Sequence, residues 1–249
     1  MRIAVAGGTG TVGAHVVRVA RERGHTAIVL ARGTGVDLVS GAGLDAALAG
    51  ADAVLDVTSV STTSAGASTD FFAAVTRNLL AAETAAGVEH HVALSIVGID
   101  GEESGYYAGK LAQERLVAAG PVPWTLLRAT QFHEFAPQMA GRLSAGPLTL
   151  VPVMRTQPVA ASQVAERLVD LAEGQAQGRE RDLAGPRIES LARMVRDYLR
   201  VTGSRALVLS VPIPGSMGRA MRTGALLPGP DAQLATQTYA EWLDTLPIA

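Results

Sequence analysis

Cysteine is absent from the 249 residues. That excludes disulfides, a catalytic thiol and thiolate metal sites, and it fits a reducing cytoplasm. Neither sign of charge dominates. A formal net charge of −2 and a pI near 6.2 leave no basic footprint for nucleic acid or an anionic membrane. No run of about 18 apolar residues marks a membrane span, and a first strand expected from residue 2 leaves no room for a signal peptide. There is no internal repeat and no heptad. What the chain does have is apolar content, 48% of its residues. That suffices for one large α/β domain, or for one domain with a small appended lobe.

The stretch that organises the chain is its start, MRIAVAGGTGTVG. Arg2 to Ala6 is a short apolar run with β-branched Ile3 and Val5, too brief for a helix, and reads as a buried strand. Gly7, Gly10 and Gly13 follow at three-residue spacing, with Val12, Val16, Val17 and Ala20 at helical spacing behind them. In a strand, turn and helix of this kind the first glycine allows the tight reversal. The second lets the backbone approach a pyrophosphate, and the third lets helix and sheet pack closely. The helix N-terminus offers unpaired N–H groups to phosphates, and Thr9 and Thr11 add hydroxyl donors. A dinucleotide site is expected here. The alternative is a tight turn with no ligand.

After a first helix ending near Gly24, Thr26 to Ala31 reads as the second strand. An acidic residue near its end would accept hydrogen bonds from an NAD ribose. Arg32 stands there instead and suits a 2′-phosphate, so NADP(H) is favoured, with NAD(H) possible. Asp37, five residues on, complicates that choice. Val36 to Val39 reads as a brief strand, Leu44 to Leu48 as a short helix and Ala53 to Thr58 as a strand, Thr58 being placed with the cofactor. Ser59 to Thr69 reads as a loop near the cofactor, in which Ser59 and Ser61 can touch it. Asp70 is expected to cap a helix running to about Ala86 and stopped by Gly87. Strands are expected at His91 to Val97 and Pro123 to Arg128.

Alternation of strands and helices implies a doubly wound parallel sheet. Beyond Arg128 it weakens. An extended run at Leu148 to Val153, a helix from Ser162 (as its cap) to Glu173, a strand near Leu183 and a helix from Ile188 to Val201 are expected. Pro212 to Pro230, with four prolines, reads as an irregular excursion facing substrate or a long loop. Asp231 is expected to cap the last helix, which carries Tyr239 and Trp242.

Chemistry is sought at the carboxyl ends of the strands. Ser95 lies near one such end and is placed to orient a substrate carbonyl. Tyr106 and Lys110 are one helical turn apart and share a face if a helix covers Gly105 to Ala119. A tyrosine of ordinary pKa near ~10 needs a neighbouring cation to ionise. Lys110 supplies that cation and can also hold the nicotinamide ribose, while Tyr106 acts as general acid. Tyr107 is adjacent and is the alternative inward-pointing phenol. Arg128, Thr130, Gln131, Phe132 and His133 leave a strand at its carboxyl end. Of these, Gln131 and Phe132 are the expected substrate contacts, and His133 with Glu134 reads as structural. Asn78 reads as a helix hydrogen-bonder. His90 and His91 face opposite sides of a strand, and no metal site is expected.

Four segments, GGTGTVG, LSIVG at 94 to 98, YYAGK at 106 to 110 and PWTLLRATQF at 123 to 132, together resemble the short-chain dehydrogenase/reductase superfamily. Within it the chain resembles the atypical, NmrA-like branch. The resemblance spans essentially the whole chain. It implies a Rossmann core over residues 1 to 130 and a smaller C-terminal substrate-binding region over 131 to 249, interleaved with the core in one compact domain. It implies nucleotide roles for Gly7, Thr9, Gly10, Val12, Gly13 and Arg32, and catalytic roles for Tyr106 and Lys110. The expected activity is NADPH-dependent reduction of a small apolar carbonyl compound, a quinone or polycyclic aromatic ketone, in the cytoplasm, by a possible homo-oligomer. A nucleotide-sensing regulator without turnover and a cofactor-retaining isomerase or epimerase stand as alternatives.

Overall fold

The computed structural model describes residues 1–247. In chain order the first elements are β1 (Arg2–Ala6), α1 (Thr11–Glu22), β2 (Thr26–Leu30), α2 (Leu44–Leu48), β3 (Ala53–Asp56), α3 (Ala65–Ala86), β4 (His90–Ile96), α4 (Gly105–Ala118) and β5 (Trp124–Ala129). Next come α5 (Phe135–Leu143), β6 (Ser144–Ala145), β7 (Leu148–Pro152), β8 (Arg155–Thr156), α6 (Ala161–Glu173), β9 (Gly178–Arg179), β10 (Leu183–Ala184) and β11 (Glu189–Ser190). The chain closes with α7 (Leu191–Val201), β12 (Leu207–Val211), α8 (Gly215–Thr223), β13 (Gln233–Leu234) and α9 (Tyr239–Leu243). Two compact units result: Met1–Arg128 with Val164–Glu180, and Ala129–Gln163 with the chain from Arg181 on.

The first unit is a parallel sheet in the order β2-β1-β3-β4-β5, with β9 beside β5. The strands are near-continuous apolar runs because helices cover both faces. Ala4 and Ala6 of β1 and Val54 of β3 share one core cluster with Leu44 and Leu48 of α2 and Val75 and Leu79 of α3. The alternate residues Ile3 and Val5 point to the opposite face and are also fully buried. There α1 packs, burying Val12, Val16, Val17 and Ala20 while Arg18 and Glu22 pair on its outer side at 2.7 Å. This is the expected doubly wound Rossmann sheet. Among the described residues no helix is long and apolar enough to cross a membrane.

Several local expectations are corrected. Val36 to Val39 forms no strand. The Asp37 carboxylate accepts from Val39 N–H at 2.9 Å and its carbonyl from Gly41 N–H at 2.8 Å, closing a turn. The loop after β3 is shorter than expected, because α3 begins at Ala65. Ser64 Oγ caps α3 by accepting from Ala67 N–H, which leaves Asp70 inside the helix. The early start follows from packing against α4. A Cβ on Gly109 would lie 2.5 Å from the Ser68 carbonyl oxygen, and Ser68 Oγ donates to the Tyr106 carbonyl at 2.9 Å. Small residues that read locally as a loop are those that let two helices touch.

In the second unit β12 and β7 pair in parallel and β6 joins β7 antiparallel, with α5 and α7 packed on this small sheet. Ala129 pairs with Leu183 of β10, and β10 pairs in parallel with β13. Helix α6 starts at Ala161, so Ser162 lies within it rather than capping it. Glu189 and Ser190 pair with β8, which delays α7 to Leu191. The Pro212 to Pro230 segment holds the short helix α8. Thr238 and Glu241 form a reciprocal cap on α9, the role expected of Asp231.

Candidate functional site

The glycine turn is built by direct contact. Gly7 leaves β1 with φ +80°, and a Cβ there would sit 2.9 Å from the Val57 carbonyl oxygen, so the turns after β1 and β3 lie against each other. A Cβ on Gly13 would fall 2.1 Å from Gly7 O and 2.7 Å from Gly8 Cα, so only glycine lets α1 approach its own turn this closely. Gly10 is the N-cap of α1. It brings no side-chain cap, and the first turn carries no acidic residue. Thr9, Gly10 and Thr11 are exposed, while the Val12 side chain is in the core and leaves only its backbone N–H to the turn. An uncapped helix N-terminus behind a glycine-rich turn fits a dinucleotide pyrophosphate. Arg32 is exposed just past β2, and among the described residues nothing pairs with its guanidinium. Asp37, the competing signal, is committed to its own turn.

Tyr106 and Lys110 both lie on α4, one turn apart, yet they meet different surroundings. The Tyr106 hydroxyl is 3.1 Å from Ser59 Oγ, and its ring stands edge-on to Phe72 and Tyr107 at 5.5 and 6.4 Å. Burial pushes the phenol above its ordinary pKa; the Ser59 hydrogen bond opposes this and the Asp56 charge adds to it. Lys110 is 3% exposed and turned inward. Its ammonium donates to the Leu94 carbonyl at 2.6 Å and to Gln113 Oε1, and lies 4.7 Å from the Phe72 ring centre. Burial brings its pKa down to about 8 against the pull of Asp56 and Glu114. The expectation that Lys110 reaches a ribose hydroxyl is therefore corrected: its donors are committed inside α4, β4 and α3.

Gln113 continues the chain, donating from Nε2 to Asp56 Oδ2 at 2.7 Å. Asp56 Oδ1 accepts from Thr58 N–H at 3.0 Å and Thr58 Oγ1 at 2.6 Å. Thr58 thus spends its hydroxyl within the β3 turn, 5% exposed, rather than offering it to a cofactor. Ser95 is 2% exposed on β4, and its Oγ has no partner among the described residues. Asp56 and Gln113 were missed by sequence reasoning. The available signals were a carboxylate ending the apolar run AVLD and a glutamine one turn beyond Lys110.

The other candidates scatter. Arg128 is 5% exposed and held by Asp100 at 2.6 and 2.8 Å and by Glu114 at 2.7 and 2.6 Å, so it does not line a pocket. In the second unit Gln131 Oε1 accepts from Thr156 Oγ1 at 3.2 Å, and Phe132, half-buried, bridges to Val159. His133 packs between Tyr239 and Trp242, where burial takes its pKa down to about 4, and burial raises that of Glu134; the two are structural. Asn78 ties the Leu38 and Val39 carbonyls at 3.1 and 2.8 Å rather than its own helix. His90 binds Thr125 Oγ1 at 2.9 Å, and His91 binds the buried Glu83 at 2.9 and 3.0 Å.

A family model described as NAD(P)H-binding matches residues 7–174. No curated protein matches the chain significantly. Among solved structures, the fold is similar to MoeE5 in complex with UDP-glucuronic acid and NAD, at 17% identity and a TM-score of 0.73, covering 98% of this chain and 97% of that one. It is similar to TunA, an NAD-dependent NDP-hexosamine 5,6-dehydratase, at 19% identity and a TM-score of 0.73, with 98% and 95% covered. The Thermus thermophilus UDP-glucose 4-epimerase complex with NAD is similar at 20% identity and a TM-score of 0.67, with 98% and 92% covered.

Proposed function

The chain belongs to the NAD(P)H-binding family, and from that premise we propose that it is an NADPH-dependent reductase of a small apolar carbonyl compound, a quinone or polycyclic aromatic ketone. The observation that carries this reading is Tyr106. Its phenol is held protonated by burial and bonded to Ser59 within the unit that carries the glycine turn. The phenol is protonated at neutral pH and so can donate to a carbonyl oxygen as negative charge develops there.

The reduced nicotinamide, when bound, supplies the hydride. The backbone N–H groups of Thr11, Val12 and Gly13 would hold the pyrophosphate, and the Arg32 guanidinium would take the 2′-phosphate. As the carbonyl carbon gains the hydride, Tyr106 gives its proton to the carbonyl oxygen, and Ser59 is the hydroxyl through which the phenolate regains a proton. Lys110 stands one turn away as a buried cation held by Gln113, which Asp56 holds in turn. Ser95, buried with an unpartnered hydroxyl, is assigned to the carbonyl. Tyr107, beside Tyr106 on α4, is assigned to the substrate, its ring suiting an apolar one.

The test is loss of reduced-nicotinamide absorbance with NADPH and NADH against quinones and ketones. Tyr106→Phe is expected to lower kcat by about 10²–10³-fold. Unchanged kcat removes Tyr106 as the acid. A second reading draws on the similarity to the epimerase and the dehydratase over nearly the whole chain. It expects dinucleotide retained through purification and no net NADPH consumption. Tight NADPH binding without turnover on any substrate favours a nucleotide-sensing regulator.

A further inference from the structure

We propose that two copies of this chain associate through the uncovered face and open edge of the β7/β12 sheet. β12 runs parallel to β7 with Leu207 opposite Leu148 and Leu209 opposite Leu150. Side chains alternate along strands, so Thr149, Val151 and Val208 turn to the face packed by α5 and α7 and are buried. Leu148, Leu150, Leu207, Leu209 and Val211 turn to the other face and stay 38%, 45%, 58%, 42% and 39% exposed. Together these five expose roughly 400 Å² of contiguous aliphatic surface, as large as a typical monomer's largest patch. Each partner in a standard interface contributes about 800 Å², with an apolar centre inside a polar rim. The patch is the right size for that centre.

The edge points the same way. Among the described residues β12 pairs with β7 on one side only. Solitary edge strands are normally guarded by charges, bulges or proline. Here no charged residue occurs from Ala206 to Gly218, and Pro212 and Pro214 come only after the strand ends. A second copy packed on this face buries the aliphatic side chains and shields the adjoining edge from solvent. An uncharged apolar strand is complementary to itself, and a two-fold contact between identical patches closes without propagating into fibres. This inference does not depend on which reaction the first unit performs.

The experiment is sedimentation of the full chain from nanomolar to high micromolar concentration, with amide exchange at Leu207–Val211 followed in parallel. The expected result is a species of twice 25.7 kDa, with protection of β12 that grows with concentration. Leu209→Lys and Leu150→Lys replace half-exposed side chains. Each is expected to weaken association roughly a hundredfold, with circular dichroism and dinucleotide binding unchanged. The wild-type exchange measurement decides the matter even if a variant folds poorly. A wild type that stays monomeric overturns the proposal, and so does a dimer that survives both substitutions. A monomer whose β12 amides become protected only when a quinone is added assigns the face to an apolar ligand and overturns it as well.

Discussion

Gly13→Ala tests whether the close approach of α1 to its own turn builds the dinucleotide site. The added Cβ would stand 2.1 Å from Gly7 O and 2.7 Å from Gly8 Cα, against an ordinary separation of roughly 3.5 Å. The obstacles are backbone atoms, so no side-chain rotation relieves the clash, and helix and turn must part by about 1 Å. Overpacking of this kind costs about 1–3 kcal/mol of stability. The same displacement turns the N–H groups of the first helical turn away from the phosphates. Losing two such charge-assisted bonds costs about 3 kcal/mol, or roughly a hundredfold in affinity. Calorimetric titration with NADPH and urea unfolding measure the two effects. Gly141→Ala is the control: it adds its Cβ into open space on α5, and is expected to leave binding unchanged and to gain up to ~1 kcal/mol of stability. Wild-type affinity and stability in Gly13→Ala would refute the packing argument.

Arg32→Ala is expected to weaken NADPH binding roughly 10–100-fold, the loss of one charge-assisted contact, and to leave NADH binding unchanged. Equal losses for both would remove Arg32 from cofactor choice. The buried Lys110 predicts a pH dependence. Its pKa is about 8 in the folded chain against an ordinary 10.5, so below pH 8 the fold carries the full cost of burying the charge. As pH rises from 8 to 10.5 the unfolded chain binds more protons and stability increases, by about 3 kcal/mol at most. The difference in unfolding free energy between wild type and Lys110→Met should rise across that window; a flat difference would mean that Lys110 keeps an ordinary pKa.

The first strand, its turn and α1 were legible because their signals are local: three glycines at fixed spacing and valines at helical spacing. The run AGASTD, by contrast, is helical because Ser68 and Gly109 let α3 and α4 touch, and neither residue announces the other. The candidate site divides in the same way. Tyr106 and Lys110 were visible as a pair one turn apart, but the partners that separate their roles are remote. Ser59 lies 47 residues from Tyr106, and Asp56 lies 57 residues from Gln113. Thr58 and Arg128 read as available for ligands and proved to be committed to Asp56, and to Asp100 and Glu114.

The sequence by itself determined the parallel sheet, the glycine turn and the phenol on α4, because each rests on periodicity, backbone freedom or spacing within one helical turn. Only the tertiary structure decided that Lys110 faces inward, that Asp56 and Gln113 stand behind it, and that one face and one edge of β12 lie uncovered by the described residues. Hydrogen-bond partners and exposure depend on which distant segments the fold brings together, and a linear pattern carries no information about that.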